Sequence, residues 1–556
     1  MARLNNPASL LFPFESIQSA EYNAFLEKSV SPVLGSNPGA LLSGFRWYGR
    51  TDPATQRMVI TYSFGARGTS PRQSSYSAPF VPTMQEFSSS DREATRVVLN
   101  HIESVAQVKF IELPDAGSQS PMIRYAYSDL PNQLGFAGYS FYPMGDTGGD
   151  VWLGSAQKGP EWDAYRTSLI LHETLHALGL KHPFEGPDPL PSEEDHMADT
   201  VMSYSPIPGT SGGSLSAYPV QPMPLDIQAL HLLYGAARFN EGEVRYDLSD
   251  PQFLAGFEVL YSTDGTLGTD TMDASQVQQA VVLDLREGYA SNIGSSVSAF
   301  GRISNDDGTY SWIYRSFDKT LIISGDTVIE NAVGSSFDDF LTGNDFANAL
   351  DGGPGNDILV GGRGNDVLTG GAGIDVAMYE QTLHNVRLTR TGSFWTISDI
   401  QGQEGQDTLI GIERVALADT VVALDLDGNA GKSARVLGAL LGPQFVHDKT
   451  AFGIALSLFD AGMSEVQIVG VAIEAALGPA PSNEAFVTWV YRNVVGVVPA
   501  PLELGFYVDL LKTGTHSLVS LGMLAEQTDA TAVTIDLVGM AQTGIEYTPY
   551  APPSSS

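Results

Sequence analysis

The chain has 556 residues, 43% hydrophobic and 17% charged, a globular composition sized for about three domains. Sixty-four acidic residues against 29 basic ones leave a net charge of −35, which argues against nucleic acid or an anionic membrane as partner. There is no cysteine, so a disulfide framework, a thiolate zinc site and a cysteine nucleophile are excluded, and no run of 18 apolar residues offers a membrane span.

Residues 1–40 carry little periodicity and read as an N-terminal arm or pro-segment, without the charged-then-apolar pattern of a cleaved leader. "MVITYSF" (58–64) alternates like a strand. Ser90 with Glu93 three residues later is a capping box, opening a helix with Ala94, Val98, Ile102 and Val105 on its apolar face. His101 lies on that face and is expected to be packed rather than to bind a metal. "VKFIEL" (108–113), "IRYAY" (123–127) and "GDVWLG" (149–154) look like further strands. A helix holding "LILHETLHALGLKHP" (169–183) follows, then a Pro/Gly/Ser-rich stretch, then a closing helix "PLDIQALHLLYGA" (224–236).

After residue 240 short strands and glycine turns replace helical periods. Glycines restart at 334, 343, 352, 361 and 370, a strict nine-residue period. Helical patterns return from about 431 to 541, and "TPYAPPSSS" reads as a disordered end. The resulting domains are 1–40, 41–240, 241–430 and 431–556.

On a helix, positions i and i+4 share a face, so His172 and His176 can offer two imidazole nitrogens to one ion. Glu173, one step round, is free to act on water. Gly179 lets the chain leave the helix and return His182 as third ligand. Three neutral nitrogens leave an open fourth position, the arrangement of a catalytic zinc.

The spacing H-E-x-x-H-x-x-G-x-x-H resembles the metzincin metalloproteases, and "DTVMSYSP" (199–206) resembles their Met-turn, with Met202 as the apolar floor under the metal. The "MSY" triplet is similar to the serralysin branch. The resemblance implies an α+β metzincin-type catalytic domain, a zinc endopeptidase using Glu173 as general base, and a protein or peptide substrate. It also implies Tyr204 as a further zinc ligand that swings away to stabilise the transition state. "GGDVWLG" resembles the edge strand along which the substrate lies, which makes Gly149, Val151 and Leu153 candidates for strand addition. Leu175 stands where serralysins carry glycine.

The pattern G-G-x-G-x-D-x-U-x is the RTX repeat, a parallel β-roll threaded with Ca²⁺. Asp339, Asp357, Asp366 and Asp375 take its aspartate position, with Asn348 in the second turn. Leu341, Leu350, Leu359, Leu368 and Ala377 point inward. The flanks are similar to the serralysin C-terminal domain, where Asp270 and Asp273 become further calcium candidates. RTX resemblance also implies type I secretion from a Gram-negative bacterium through an uncleaved C-terminal signal, to an extracellular monomer. The last third is similar to a helical domain of unknown function. Asp425 and Asp427 in "DLDGN" resemble a calcium loop that lacks the EF-hand glutamate. The rival to an enzyme is an RTX adhesin or surface-binding protein with a vestigial metal centre.

Overall fold

The computed structural model describes residues 37–66, 80–115, 121–145, 147–159, 163–237, 242–261, 269–305, 309–325, 327–402 and 405–550. Most of the expected N-terminal arm therefore lies outside the described residues. The described chain divides into two compact units. One holds residues 37–273 and 282–329, the other residues 274–281 and 330–550.

In the first unit a mixed sheet is built from β1 (Met58–Phe64), β2 (Val108–Glu112), β3 (Ile123–Ser128), β4 (Gly138–Ser140) and β5 (Asp150–Gly154), in the order β2-β1-β3-β5-β4. All neighbours are parallel except β4 against β5. Helix α1 (Ser89–Val105) starts earlier than its sequence suggests. Ser88, not Ser90, is the N-cap, because its hydroxyl accepts the Asp91 amide. Asp91 is fully buried and pairs with Arg166 at the start of α2 (Ala164–Leu178), tying the two helix beginnings together. His101 is packed as expected, with its Nδ1 3.2 Å from the Val220 carbonyl.

Helix α2 is buried along nearly its whole length, which explains its run of leucines. Its end is fully paired. Gly179 takes φ +110, and a Cβ there would fall 2.1 Å from the Phe45 carbonyl oxygen. Trp47 Nε1–H donates to Ala177, and the Tyr234 hydroxyl donates to Leu178. Leu41 is fully buried in the same core, so residues 38–41 belong to the folded unit rather than to an arm. Strand β6 (Gly213–Leu215), helix α3 (Pro224–Tyr234) and a long hairpin of β7 (Val297–Ser304) and β8 (Tyr310–Phe317) complete the unit. Val297 and Ala299 enter its main apolar core.

The second unit opens with the nine-residue repeats. Two parallel stacks form, one from β9 (Asn331–Val333), β11 (Ala349–Pro354) and β13 (Val367–Ala372), the other from β10 (Phe340–Thr342), β12 (Ile358–Val360) and β14 (Val376–Met378). Successive strands alternate between stacks, so residues eighteen apart pair: Leu341 faces Leu359 and Leu350 faces Leu368. The inward leucines and Ala377 are all at most 1% exposed. Each buried leucine contributes about 1.5–3 kcal/mol to a core only one side chain wide.

A hairpin of β15 (Val386–Thr391) and β16 (Phe394–Asp399) then interrupts the roll, which resumes in β17 (Gln406–Ile410) and β18 (Arg414–Ala416). β19 (Val421–Ala423) adds antiparallel to β18, and β20 (Ile545–Tyr547) adds antiparallel to β19. The helices from Asn429 to Thr543 therefore lie between two adjacent strands of one sheet. They pack around Phe452, Leu456, Phe486 and Val490. The loop resembling a calcium site is turned to another use: Asp425 pairs with buried Arg414, and Asp427 with Arg390. A guanidinium already neutralises the carboxylate that the loop would need.

Candidate functional site

His172 and His176 lie one turn apart on α2, and the turn at Gly179 returns His182 to them. His182 Nε2 is 3.3 Å from His172 Nε2 and 3.1 Å from His176 Nε2. The opposite ring nitrogens fix the tautomers. His172 Nδ1–H donates to the Val201 carbonyl at 2.9 Å, and His176 Nδ1–H to the Leu180 carbonyl at 2.8 Å. A carbonyl only accepts, so in both rings the Nδ1 carries the proton. His182 Nδ1–H donates to Glu185 Oε1 at 2.8 Å. Three Nε2 atoms thus converge, those of His172 and His176 as free lone pairs, an arrangement that suits a cation among them. Zinc–nitrogen bonds of about 2.0–2.1 Å give tetrahedral edges of about 3.3 Å, so the spacing fits one zinc ion. Among the described residues this is the one group of three or more ligand-type side chains brought within metal-binding reach.

Burial sets the titration of the group. It lowers His172 to about 4 and His176 well below its usual value, keeping both neutral at physiological pH. Glu173 is pushed up to about 8 by burial, opposed by the Ser140 hydroxyl, which donates to Glu173 Oε2 at 2.8 Å. A dication beside it would favour the carboxylate form. The Tyr204 hydroxyl lies 2.8 Å from His182 Nε2, and its phenol is pushed up to about 12, by burial first and then by Glu173 and Glu185.

Met202 is fully buried, one residue after the carbonyl that orients His172. Its loop is held from α3. Asp226 accepts from Thr200 Oγ1 at 2.6 Å, from the Val201 amide at 2.9 Å and from the Met223 amide at 3.0 Å.

One expectation is corrected. Gly149, Val151 and Leu153 do not form an edge: β5 lies between β3 and β4, and Val151 and Leu153 are fully buried. Gly149 precedes the strand with φ +80. The edge is β4, and it runs close to Glu173, since a Cβ on Gly138 would fall 2.5 Å from Glu173 Oε1. Ser140, Glu185 and Asp226 escaped sequence reading. The first two sit outside the histidine motif, and only the acidic first turn of α3 hinted at the third.

In the repeats the aspartates form ladders. The Asp339 amide donates to Asp357 Oδ1 at 2.8 Å and the Asp357 amide to Asp375 Oδ1 at 2.9 Å. On the other side the Asn348 amide donates to Asp366 Oδ1 at 2.8 Å, and the Asp366 amide to Asp407 Oδ1 at 3.0 Å. Asp407 belongs to "GQEGQDTLI" (402–410), a worn repeat displaced by the inserted hairpin. The second oxygens of Asp357, Asp366 and Asp375 are buried without a hydrogen-bond partner. Burial, then repulsion from Asp375 and Asp339, pushes Asp357 up to about 8. Buried, mutually repelling carboxylates with orphaned oxygens suit calcium. Asp270 and Asp273 are placed differently: Asp270 accepts from the Val244 amide, and Asp273 pairs with Arg245 at 2.7 Å.

Comparison with known proteins agrees with both halves of this picture. The profile of the RTX calcium-binding nonapeptide repeat matches residues 342–377 in four copies. Serralysin of Proteus mirabilis is 27% identical over 326 residues, covering 52% of this chain and 60% of its own length. Serralysin C of Dickeya chrysanthemi is 31% identical over 48% of this chain and 57% of its own. Metallopeptidase AprA of Pseudomonas marginalis is 28% identical over 52% and 60%. The chain thus spans between 42% and 61% of the length of the curated relatives it matches. The solved extracellular lipase LipA of Serratia marcescens is 24% identical over 16% of this chain and 15% of its own, with a TM-score of 0.15, too slight a likeness to bear on the fold. Over about half its length, the chain is similar to the serralysin-type metallopeptidases, and it carries RTX calcium-binding repeats.

Proposed function

We propose that the chain is a secreted zinc-dependent endopeptidase whose fold is stabilised by calcium. The observation that carries this reading is the convergence of three Nε2 atoms whose rings have their other nitrogen committed elsewhere. His172, His176 and His182 hold the ion, with Tyr204 as a displaceable fourth protein ligand. Zinc bound there supplies Lewis acidity, polarising a peptide carbonyl and acidifying water. Glu173 takes a proton from the attacking water and delivers it to the leaving amine, as its place beside the ligands allows. The Tyr204 phenol, protonated at neutral pH, donates to the oxygen that gains charge. An extended peptide pairs with the free side of β4, which packs against Glu173 at Gly138. Residues 41–240 carry the chemistry, 241–430 the strands and calcium turns, and 431–556 the helices. Type I export of an unfolded chain, which folds on meeting extracellular calcium, accounts for buried carboxylates that repel one another without it.

The test uses purified full-length protein in calcium. Elemental analysis should find one zinc per chain, and casein should be cleaved until a zinc chelator is added. Glu173→Ala should keep zinc and lose cleavage. Cleavage that survives this substitution would sink the assignment of the base, and a zinc-free protein that binds surfaces without cutting would favour the adhesin.

A further inference from the structure

The roll continues past its last matched repeat. β18 pairs in parallel with β14, placing Arg414 opposite Val376 and Val415 opposite Ala377. That register sets Glu413 where Asp339, Asp357 and Asp375 stand in the earlier turns on the same side. The bonding repeats too: the Asp375 amide donates to Glu413 Oε2 at 2.9 Å, as the Asp339 amide does to Asp357 and the Asp357 amide to Asp375. So does the backbone. A Cβ on Gly334 would fall 2.4 Å from the Gly352 carbonyl oxygen, one on Gly352 2.7 Å from that of Gly370, and one on Gly370 2.2 Å from that of Gly411. Each turn lays a carbonyl over the glycine that precedes its aspartate. Asp375 is 0% exposed, and its Oδ2 has no hydrogen-bond partner.

The next residue leads elsewhere. Arg414 is 1% exposed and pairs with Asp425 and, at 2.9 Å, with Asp460. Asp460 ends the helix Lys449–Asp460, and its Oδ1 also accepts from Asn429 Nδ2 at 2.9 Å. One guanidinium thus faces two carboxylates at the base of the helical region, with Glu413 as a third acidic side chain alongside. A cation between Asp375 and Glu413 would offset this excess and fix the strand from which Arg414 reaches the helices.

We propose that Asp375, Glu413 and the Gly411 carbonyl form a calcium site that closes the roll outside its repeats and couples calcium to the order of the helices through Arg414. This rests on the calcium reading of the repeats. The site takes a hard, oxygen-seeking divalent cation, and one carboxylate more or less changes its affinity strongly.

Hydrogen exchange resolved by peptide, on the full chain titrated with calcium chloride, tests it. In the wild type, calcium should slow exchange both in the turns of 343–366 and in the helices of 449–512. Glu413→Gln should need about tenfold more calcium to protect the helices, while the turns of 343–366 keep their wild-type midpoint. Glu413→Asp, which keeps the charge on a shorter arm, should fall between and guards against a variant that simply fails to fold. Asp357→Asn should instead weaken protection of the turns themselves. Helices that titrate at the same calcium in Glu413→Gln and the wild type, or that ignore calcium while the turns respond, overturn the inference and leave the repeats intact. A wild type indifferent to calcium everywhere overturns both.

Discussion

Two of the three converging imidazoles are oriented by backbone carbonyls, which no substitution removes. His182 depends on a side chain, through the 2.8 Å bond from its Nδ1–H to Glu185 Oε1. Glu185→Ala removes that partner and leaves the ring held by its stacking on Phe184 and its contact with Tyr204. A hydrogen bond to a charged group contributes about 1.5–3 kcal/mol when shielded. The Glu185 side chain is 44% exposed, so water can replace it and solvent screens its charge. About 1.4 kcal/mol then remains, a factor of about ten in zinc affinity, at the low end of what partners of metal-bound histidines contribute. Competition with a chromophoric zinc chelator, on calcium-saturated full-length protein, measures it directly. Glu185→Gln, which keeps an acceptor without the charge, should lose less. Equal zinc affinity in Glu185→Ala and the wild type would refute the reasoning, since His182 would then be oriented by something other than this bond.

On the proposed mechanism Tyr204→Phe removes a donor to the reacting oxygen, so kcat should fall about a hundredfold with little change in KM; an unchanged kcat would remove Tyr204 from the chemistry. Asp226→Ala orphans three buried donors at about 1–3 kcal/mol each, enough to lower the melting temperature of this unit and to weaken zinc binding at the proposed centre. A wild-type melting curve would contradict that. The calcium-free roll should be most stable in acid. Burial, followed by neighbouring aspartates, raises Asp357 to about 8 and Asp366 to about 7, above the usual 3.8. Their contribution is full below the usual value and is lost as pH rises through about 7 to 8. Thermal melts in chelator should therefore decline from about pH 4 to about pH 8 and calcium should remove the decline. A flat calcium-free profile would count against it.

The histidine centre was legible because its geometry is local: i and i+4 on one helix, a glycine, and a short return. The repeats were legible because nine-residue spacing fixes which side chain points inward. The edge strand was not. "GDVWLG" has the length and apolar content of a strand, yet those features mark the sheet interior, whereas the edge "GYS" is three residues with no alternation to read. Asp407 and Glu413 were hidden because an inserted hairpin broke the period, and only strand pairing restores their register. Ser88 displaced Ser90 as cap since both offer the same hydroxyl, and the path of the chain decided between them. The partner of Asp425 came from a strand eleven residues earlier, which no calcium-loop pattern anticipates.

Both parallel stacks of the roll finish in antiparallel strands, one in the inserted hairpin and the other in Val421–Ala423 and Ile545–Tyr547. A solenoid of identical turns has no intrinsic stopping point, and its bare end invites the turns of another molecule to continue it. Reversing strand direction ends the series. The final strand, three residues long and flanked by the Lys449–Glu546 ion pair, presents little for a neighbour to extend.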